Sequence, residues 1–404
     1  MKRVIWLVLD SLGIGGAPDA ARFGDEGADT LGHIAEWCAR PLAAGGRGRP
    51  LALPHLTAFG LGECARLSTG RTPPGLSDGQ SPRARHGVGR EQSTGKDTIS
   101  GHWEMAGLPV DFDWGYFREP VDSIPANLLT ALAAECGVPG FLGNRHASGT
   151  QIIEELGGAH VASGKPIVYT SADSVLQIAA HEEHFGLERL YALCAAARRL
   201  VDPLHIGRVI ARPFAGDDAS GYARTPNRRD YAVPPTAPTV LERLVAAGGS
   251  VIGIGKISDI FAGRGISRAV KAHGISGLIE ATLAAHADAG PGTLVYTNLV
   301  DFDQEYGHRR DIAGYAAALE DFDAMLPRLE SALLPGDLLL LTADHGNDPS
   351  WHGSDHTREQ VPIMAFGPDL AAGSIGVRDG FADMGQSLAH WFGLAPLSQG
   401  RSFL

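Results

Sequence analysis

The chain has 404 residues, 44% apolar and 20% charged, the balance of a globular protein with enough core for two or three domains. A net charge of −12 argues against non-specific nucleic-acid binding, while leaving room for a local basic pocket that takes a small anion. Four scattered cysteines (Cys38, Cys64, Cys136, Cys194) without paired spacing suit free thiols in a reducing compartment. No apolar run approaches a membrane span, so the expectation is a cytoplasmic protein without membrane or nucleic-acid partners.

The opening MKRVIWLVLDS places Lys2 and Arg3 before an apolar run, as a signal peptide does. Val4 to Leu9 is too short for that role and stops at Asp10, so a buried first strand is the better reading. Stretches 41–50 and 68–92 are rich in Gly, Pro, Arg and Ser and read as loops. STGKDTISGHWEMAG, Ser93 to Gly107, is a small-residue lead-in followed by a helix that Thr98 could open. From 111 to 234 the pattern changes, with strand-like PIVYTSADS and GRVIARPF, the basic patch RTPNRRDY, and a linker, AVPPTAP, at 232–238. This predicts a smaller domain inserted between two parts of a core, 1–110 and 235–404.

After the linker, strand-like SVIGIGKISD, TLVYTNLVDFD and DLLLLTADHG alternate with alanine-rich helical segments such as ISGLIEATLAAHADAG and IAGYAAALEDFDAMLPRLESAL. Alternation of this kind predicts an α/β fold, a mainly parallel sheet covered by helices on both faces. Ligands of such sheets gather at the carboxyl ends of the strands. Asp10, Lys256, Asp301, Asp303 and Asp344 all sit where a strand-like run ends.

LLLLTADHG poses the sharpest question, because Asp344-His345 ends a wholly apolar strand and is costly to bury uncompensated. A metal would compensate it. His356 follows eleven residues after His345, and VDFDQEYGHRRD offers Asp301, Asp303, His308 and Asp311. Hard oxygen donors and imidazoles without a thiolate suit Mn²⁺, Mg²⁺ or Zn²⁺ in a catalytic rather than a structural site. About six ligands imply two ions, and a pair of ions roughly 4 Å apart suits transfer at phosphorus. Each residue alone reads more simply as a cap, a turn former or a satisfied core histidine, as His352 and His273 do; the joint pattern is harder to dismiss. Spacing cannot choose between Asp301 and Asp303, which share a face if the strand persists. The five-residue step to His308 excludes a simple i, i+4 pair and calls for a loop.

A pair of metals needs a nucleophile, and KDTISGH supplies hydroxyls at Thr98 and Ser100. A helix starting at Thr98 would also turn backbone N–H groups toward a phosphoryl group. A capped helix behind a flexible loop explains the same residues equally well.

TADHG, VDFD-x-x-YGHRRD and KDT-x-x-GHWEMAG together resemble the alkaline phosphatase superfamily and, within its metal-dependent mutase branch, the phosphopentomutases. The likeness runs nearly end to end, through LDSLGIGGAPDA, YTSADSVLQIAAHEE, IGKISDIFAGRGI and GNDPSWHGSDHTRE. It implies a di-manganese site, with Mg²⁺, Co²⁺ or Zn²⁺ as substitutes. Asp10, Asp344 and His345 would hold one ion and Asp303, His308 and His356 the other, with Thr98 as the phosphorylated residue. It implies a cap in which Ser171 and Asp173 meet a sugar, Arg208 and Arg224 hold its distal phosphate, and Lys256 joins them. The reaction implied is interconversion of ribose 1-phosphate and ribose 5-phosphate, or their 2-deoxy forms, primed by a sugar bisphosphate such as glucose 1,6-bisphosphate. Trp351-His352 departs mildly from the family pattern. A monomer acting on small pentose phosphates is the expected form. Rival readings are a cofactor-independent phosphoglycerate mutase, which would place serine in an N-S-E-x-G-H context, a phosphatase or phosphodiesterase, and a non-catalytic phosphosugar-binding protein.

Overall fold

The computed structural model describes residues 2–77, 79–171 and 174–404. The chain divides into two compact units, residues 1–112 with 235–404, and residues 113–234.

The larger unit is built on an eight-stranded sheet in the order Arg268–Val270, Ser250–Ile254, Thr293–Asn298, Arg3–Val8, Asp337–Thr342, Val361–Phe366, Arg85–Gly89, Gly373–Arg378. The first five strands are mutually parallel. Val361–Phe366 alone runs against both its neighbours. The central strands Arg3–Val8 and Asp337–Thr342 are buried at every position, as expected for apolar runs covered on both faces. The covering helices include Ile275–Ala287 and Ile312–Ser331. The stretch 68–92, expected as loop, contains the strand Arg85–Gly89. Its two glycines and short length hide it from propensity, and pairing on both sides makes it a strand.

The register fixes what the sheet presents. Val8 is level with both Asn298 and Thr342, so the three central strands end side by side. Because Val361–Phe366 is antiparallel, the segment before it reaches the same rim, and Gly89 pairs with Val361 there. The chain leaving Gly89 therefore starts toward Thr98 from the edge where Asp10 and Asp344 stand.

The smaller unit has a six-stranded mixed sheet with strands Leu142–His146, Ile167–Thr170, Val175–His181, Arg208–Asp217, Gly221–Arg224 and Arg229–Ala232. Helices Ala126–Cys136, Gly149–Ser163 and Leu187–Val201 pack with it, over an apolar cluster that includes Leu132, Val168, Ile178, Leu193 and Val209. Within the described residues no helix is long and apolar enough to cross a membrane, and all four cysteines are free.

Candidate metal centre

Asp10 and Asp344 each stand two residues past a central strand, and both are fully buried, as is His345. The Nε2 atom of His345 is the point on which they converge, 3.6 Å from Asp10 Oδ1 and 3.3 Å from Asp344 Oδ2. The opposite carboxylate oxygens are fixed by the protein. Asp344 Oδ1 accepts from the Ser11 backbone N–H at 3.1 Å, and Asp10 Oδ2 from Asn298 Nδ2 at 2.9 Å. Ser11 achieves this with φ of 70°, left-handed backbone in a non-glycine residue, a strain usually kept only where the site needs it.

Asp303, His308 and His356 form a second group. His308 Nε2 lies 3.1 Å from Asp303 Oδ2, His356 Nε2 lies 3.5 Å from Asp303 Oδ1, and the two Nε2 atoms are 3.1 Å apart. A π-helical turn, Phe302–Gly307, produces this group, with His308 N donating to the Asp303 carbonyl at 2.9 Å. The expected loop is thus a single turn of i to i+5 spacing, which stacks residues five apart and is frequent at functional sites. It also separates the two acids. Asp303 faces the histidines and is held by Asn347 Nδ2 at 2.7 Å, whereas Asp301 lies outside the group. Asp303 also comes together with Asp10 and His345, so it lies between the two sets.

All three imidazoles are oriented alike. Nδ1 donates to a backbone carbonyl in each: Gly346 for His345, Ser354 for His308, Lys96 for His356. That turns each Nε2 toward the centre, the arrangement usual for metal-ligating histidine.

Thr98 begins the helix Thr98–Met105, and its Oγ1 lies 3.3 Å from His345 Nε2. Ser100, the competing hydroxyl, donates to Asp97 Oδ2 at 2.7 Å. Asp97 also accepts from the Ile99 and Ser100 N–H groups. Two of the first-turn amides that could have met a phosphoryl group, those of Ile99 and Ser100, are therefore held by the N-cap. The helix approaches closely because of Gly101, where a Cβ would fall 2.3 Å from the Asp344 carbonyl. His102 ties the two ends together, donating through Nδ1 to the Thr98 carbonyl and accepting from Asn298 at Nε2. Asn298, His102 and Asn347 had no role in the sequence reading. Asn298 was the most findable, a polar residue ending an otherwise buried strand.

The electrostatics favour a cation. Burial, with Asp344 and Asp303 nearby, pushes the Asp10 carboxyl well above its usual range. Burial acts the same way on Asp344, but His345 and His102 outweigh it and hold it down to about 2. Asp303, opposed by burial and favoured by His356 and His308, is held well below the ordinary value. His356 rises to about 9 because Asp303 outweighs its burial. Among the described residues Asp10 Oδ1 and Asp344 Oδ2 are buried without a hydrogen-bond partner. Two carboxylate oxygens without a hydrogen-bond partner, converging with His345 Nε2 on one point, fit a divalent ion, and the all-oxygen-and-imidazole donor set fits Mn²⁺, Mg²⁺ or Zn²⁺.

The remaining expected site residues are more dispersed. Lys256 follows the strand Ser250–Ile254 and donates to Gln304 Oε1 at 3.2 Å. In the smaller unit Ser171 is half-buried after Ile167–Thr170, and Asp173 lies outside the described residues. Arg208 is bound to Asp230 at 2.5 Å. Arg224 has no carboxylate in ion-pair range among the described residues. It sits at the start of the helix Gly149–Ser163, where a Gly149 Cβ would fall 2.0 Å from its Nη2 and 2.3 Å from the Tyr169 hydroxyl. That hydroxyl is buried, with the guanidinium groups of Arg224 and Arg212 as its polar neighbours.

Residues 2–396 match the model of the Metalloenzyme superfamily. The chain is 61% identical to a protein named phosphopentomutase from Methylobacterium nodulans and 57% identical to one from Agrobacterium fabrum, in both cases over the full length of each chain. Among solved structures it is similar to phosphoglycerate mutase of Leishmania mexicana, with a TM-score of 0.45, 13% identity, and 99% and 97% of the two chains covered. With matches of this extent to a family model and to full-length relatives, the chain belongs to the phosphopentomutase family, isomerases of the metalloenzyme superfamily.

Proposed function

We propose that this centre holds two divalent cations, manganese by preference, and that Thr98 carries a phosphoryl group between the two ends of a pentose phosphate. Asp10, Asp344 and His345 would hold one cation, and Asp303, His308 and His356 the other. When bound, the cations would lower the proton affinity of the Thr98 hydroxyl and neutralise the phosphoryl oxygens. The observation that carries the reading is the 3.3 Å approach of Thr98 Oγ1 to His345 Nε2, beside two orphaned carboxylate oxygens.

The chain's own part is positioning. The helix Thr98–Met105 holds the nucleophile, and Asp97, Gly101 and His102 set where that helix begins. Phospho-Thr98 donates its group to ribose 1-phosphate or ribose 5-phosphate, giving a 1,5-bisphosphate. The sugar then presents its other phosphate to the threonine, and transfer back releases the isomer. Ser171 and Asp173 would meet the sugar. Arg224 is the less encumbered arginine for the distal phosphate, because no described carboxylate lies in ion-pair range of it and its polar neighbour is the Tyr169 hydroxyl. Arg208 would have to share Asp230 with that phosphate. Arginine suits either role, since its planar fork meets phosphate oxygens in pairs. Lys256 would add charge from the rim of the larger sheet. Binding energy on the non-reacting phosphate would orient the other end.

The test is a coupled assay on ribose 5-phosphate in Mn²⁺, with and without glucose 1,6-bisphosphate. Isomerised sugar phosphate, faster with the primer, supports the proposal. Release of free phosphate supports a hydrolase and ends it.

A further inference from the structure

One buried cation in the larger unit touches none of the expected ligands. Arg358 is 2% exposed, yet its guanidinium makes five hydrogen bonds. It donates to Glu91 Oε2, to the Gly95 carbonyl at 2.6 Å and to the Glu91 carbonyl at 2.9 Å. A fork of 3.0 and 3.1 Å reaches Asp19. Its own backbone N–H donates to Asp25 Oδ2, which also takes the Lys96 ammonium at 2.9 Å. Two residues earlier, His356 donates from Nδ1 to the Lys96 carbonyl. The segment 356–358 therefore grips the lead-in to Thr98 along its length, at residues 91, 95 and 96. Glu91 keeps its Oε1 buried without a partner in the described residues, so this contact is held against a desolvation penalty.

An interior ion pair is weak evidence for stability, since apolar replacement of both partners is often neutral. A pair retained here, on the stretch of chain that leads from the sheet to Thr98, has a different use. We propose that Arg358 is a positioning residue. It locks the 91–97 segment to the segment that carries His356, so that the Thr98 hydroxyl and the outer metal ligands keep one spacing. This rests on the phosphotransfer reading above and adds to it a residue outside the ligand set. Without Arg358 the helix Thr98–Met105 would keep its other anchors, Asp97 at its cap, His102 on Asn298, and Glu104, which accepts from the Gln92 and Ser93 N–H groups, while the spacing between residues 95–98 and His356 loosened.

Arg358→Ala would leave Glu91 buried and unpaired and is expected to unfold. The test therefore uses Arg358→Met combined with Glu91→Gln, and separately Asp19→Asn, whose side chain is partly exposed. In the double variant the melting temperature should stay within a few degrees of wild type. Its kcat on ribose 5-phosphate should fall about tenfold or more with KM within about threefold, and Mn²⁺ affinity by calorimetry should weaken about tenfold, the size usual for groups that orient ligands. Asp19→Asn should show the same split at about threefold, and Arg358→Lys should recover part of kcat. A folded double variant, or Asp19→Asn alone if the double variant does not fold, with wild-type kcat and wild-type Mn²⁺ affinity overturns the proposal. A wild-type protein that leaves ribose 5-phosphate unchanged refutes instead the functional reading beneath it.

Discussion

The central strands have two ends, and the two ends treat their acids in opposite ways. At the amino end, Asp337 opens one strand and Arg3 the strand beside it. Their side chains meet in two hydrogen bonds of 2.9 and 2.5 Å, with His286 Nε2 3.2 Å from Asp337. At the carboxyl end, Asp10 and Asp344 close the same strands, and each keeps a buried oxygen that no described group satisfies. One end balances its charge inside the protein. The other turns its acids toward the imidazole of His345 instead of an arginine. Burial and carboxylate type are the same at both ends, so the difference marks the carboxyl end as the functional one.

Four experiments would break or sharpen that contrast. Thr98→Ala should have the largest effect, lowering isomerisation by on the order of 10⁴-fold or more while leaving the melting temperature unchanged, because only a reacting atom is lost. Arg3→Ala acts at the other end. It should destabilise the fold by about 3–5 kcal/mol by leaving Asp337 buried and unpaired, with kcat per folded molecule unchanged. If Arg3→Ala instead weakened Mn²⁺ binding as strongly as a ligand change, the two ends would not be separable. Asn298→Ala frees one oxygen of Asp10 and should weaken metal binding by about 10–100-fold in calorimetry, with little change in stability. The smallest effect is pH-dependent. Burial opposes ionisation of Asp337, but Arg3 outweighs it, so the folded carboxyl titrates below its unfolded value. Its contribution is present above the unfolded value near 4 and is lost as pH falls through the lower folded one. A double Arg3→Met, Asp337→Leu variant should flatten the acid limb of the stability profile, read by thermal melts between about pH 2 and 5.

How far the molecule could be read in advance depends on the physics of each element. The central strands were legible because two-sided burial forces unbroken apolar runs, and each run stops where the rim begins. Arg85–Gly89 was not, because pairing on both sides, rather than its own residues, makes it a strand. Asp303 could not be separated from Asp301 by spacing, since the choice depends on where extended backbone gives way. The strand ends at Asn298, and the π-helical turn at Phe302–Gly307 then carries Asp303 toward the histidines. Thr98 and Ser100 were indistinguishable as hydroxyls, and they differ in structure because the Asp97 cap engages Ser100. Arg358, Asn298 and Asn347 act through long-range contacts that no local pattern encodes.

The central claim is that a phosphoryl group resides on Thr98 beside a metal pair. Mass spectrometry of the protein after incubation with Mn²⁺ and glucose 1,6-bisphosphate tests it most directly. The account predicts one phosphate on the peptide containing Thr98, removed again by ribose 5-phosphate. Phosphate on another residue, or an unmodified chain that still isomerises the sugar, would contradict it.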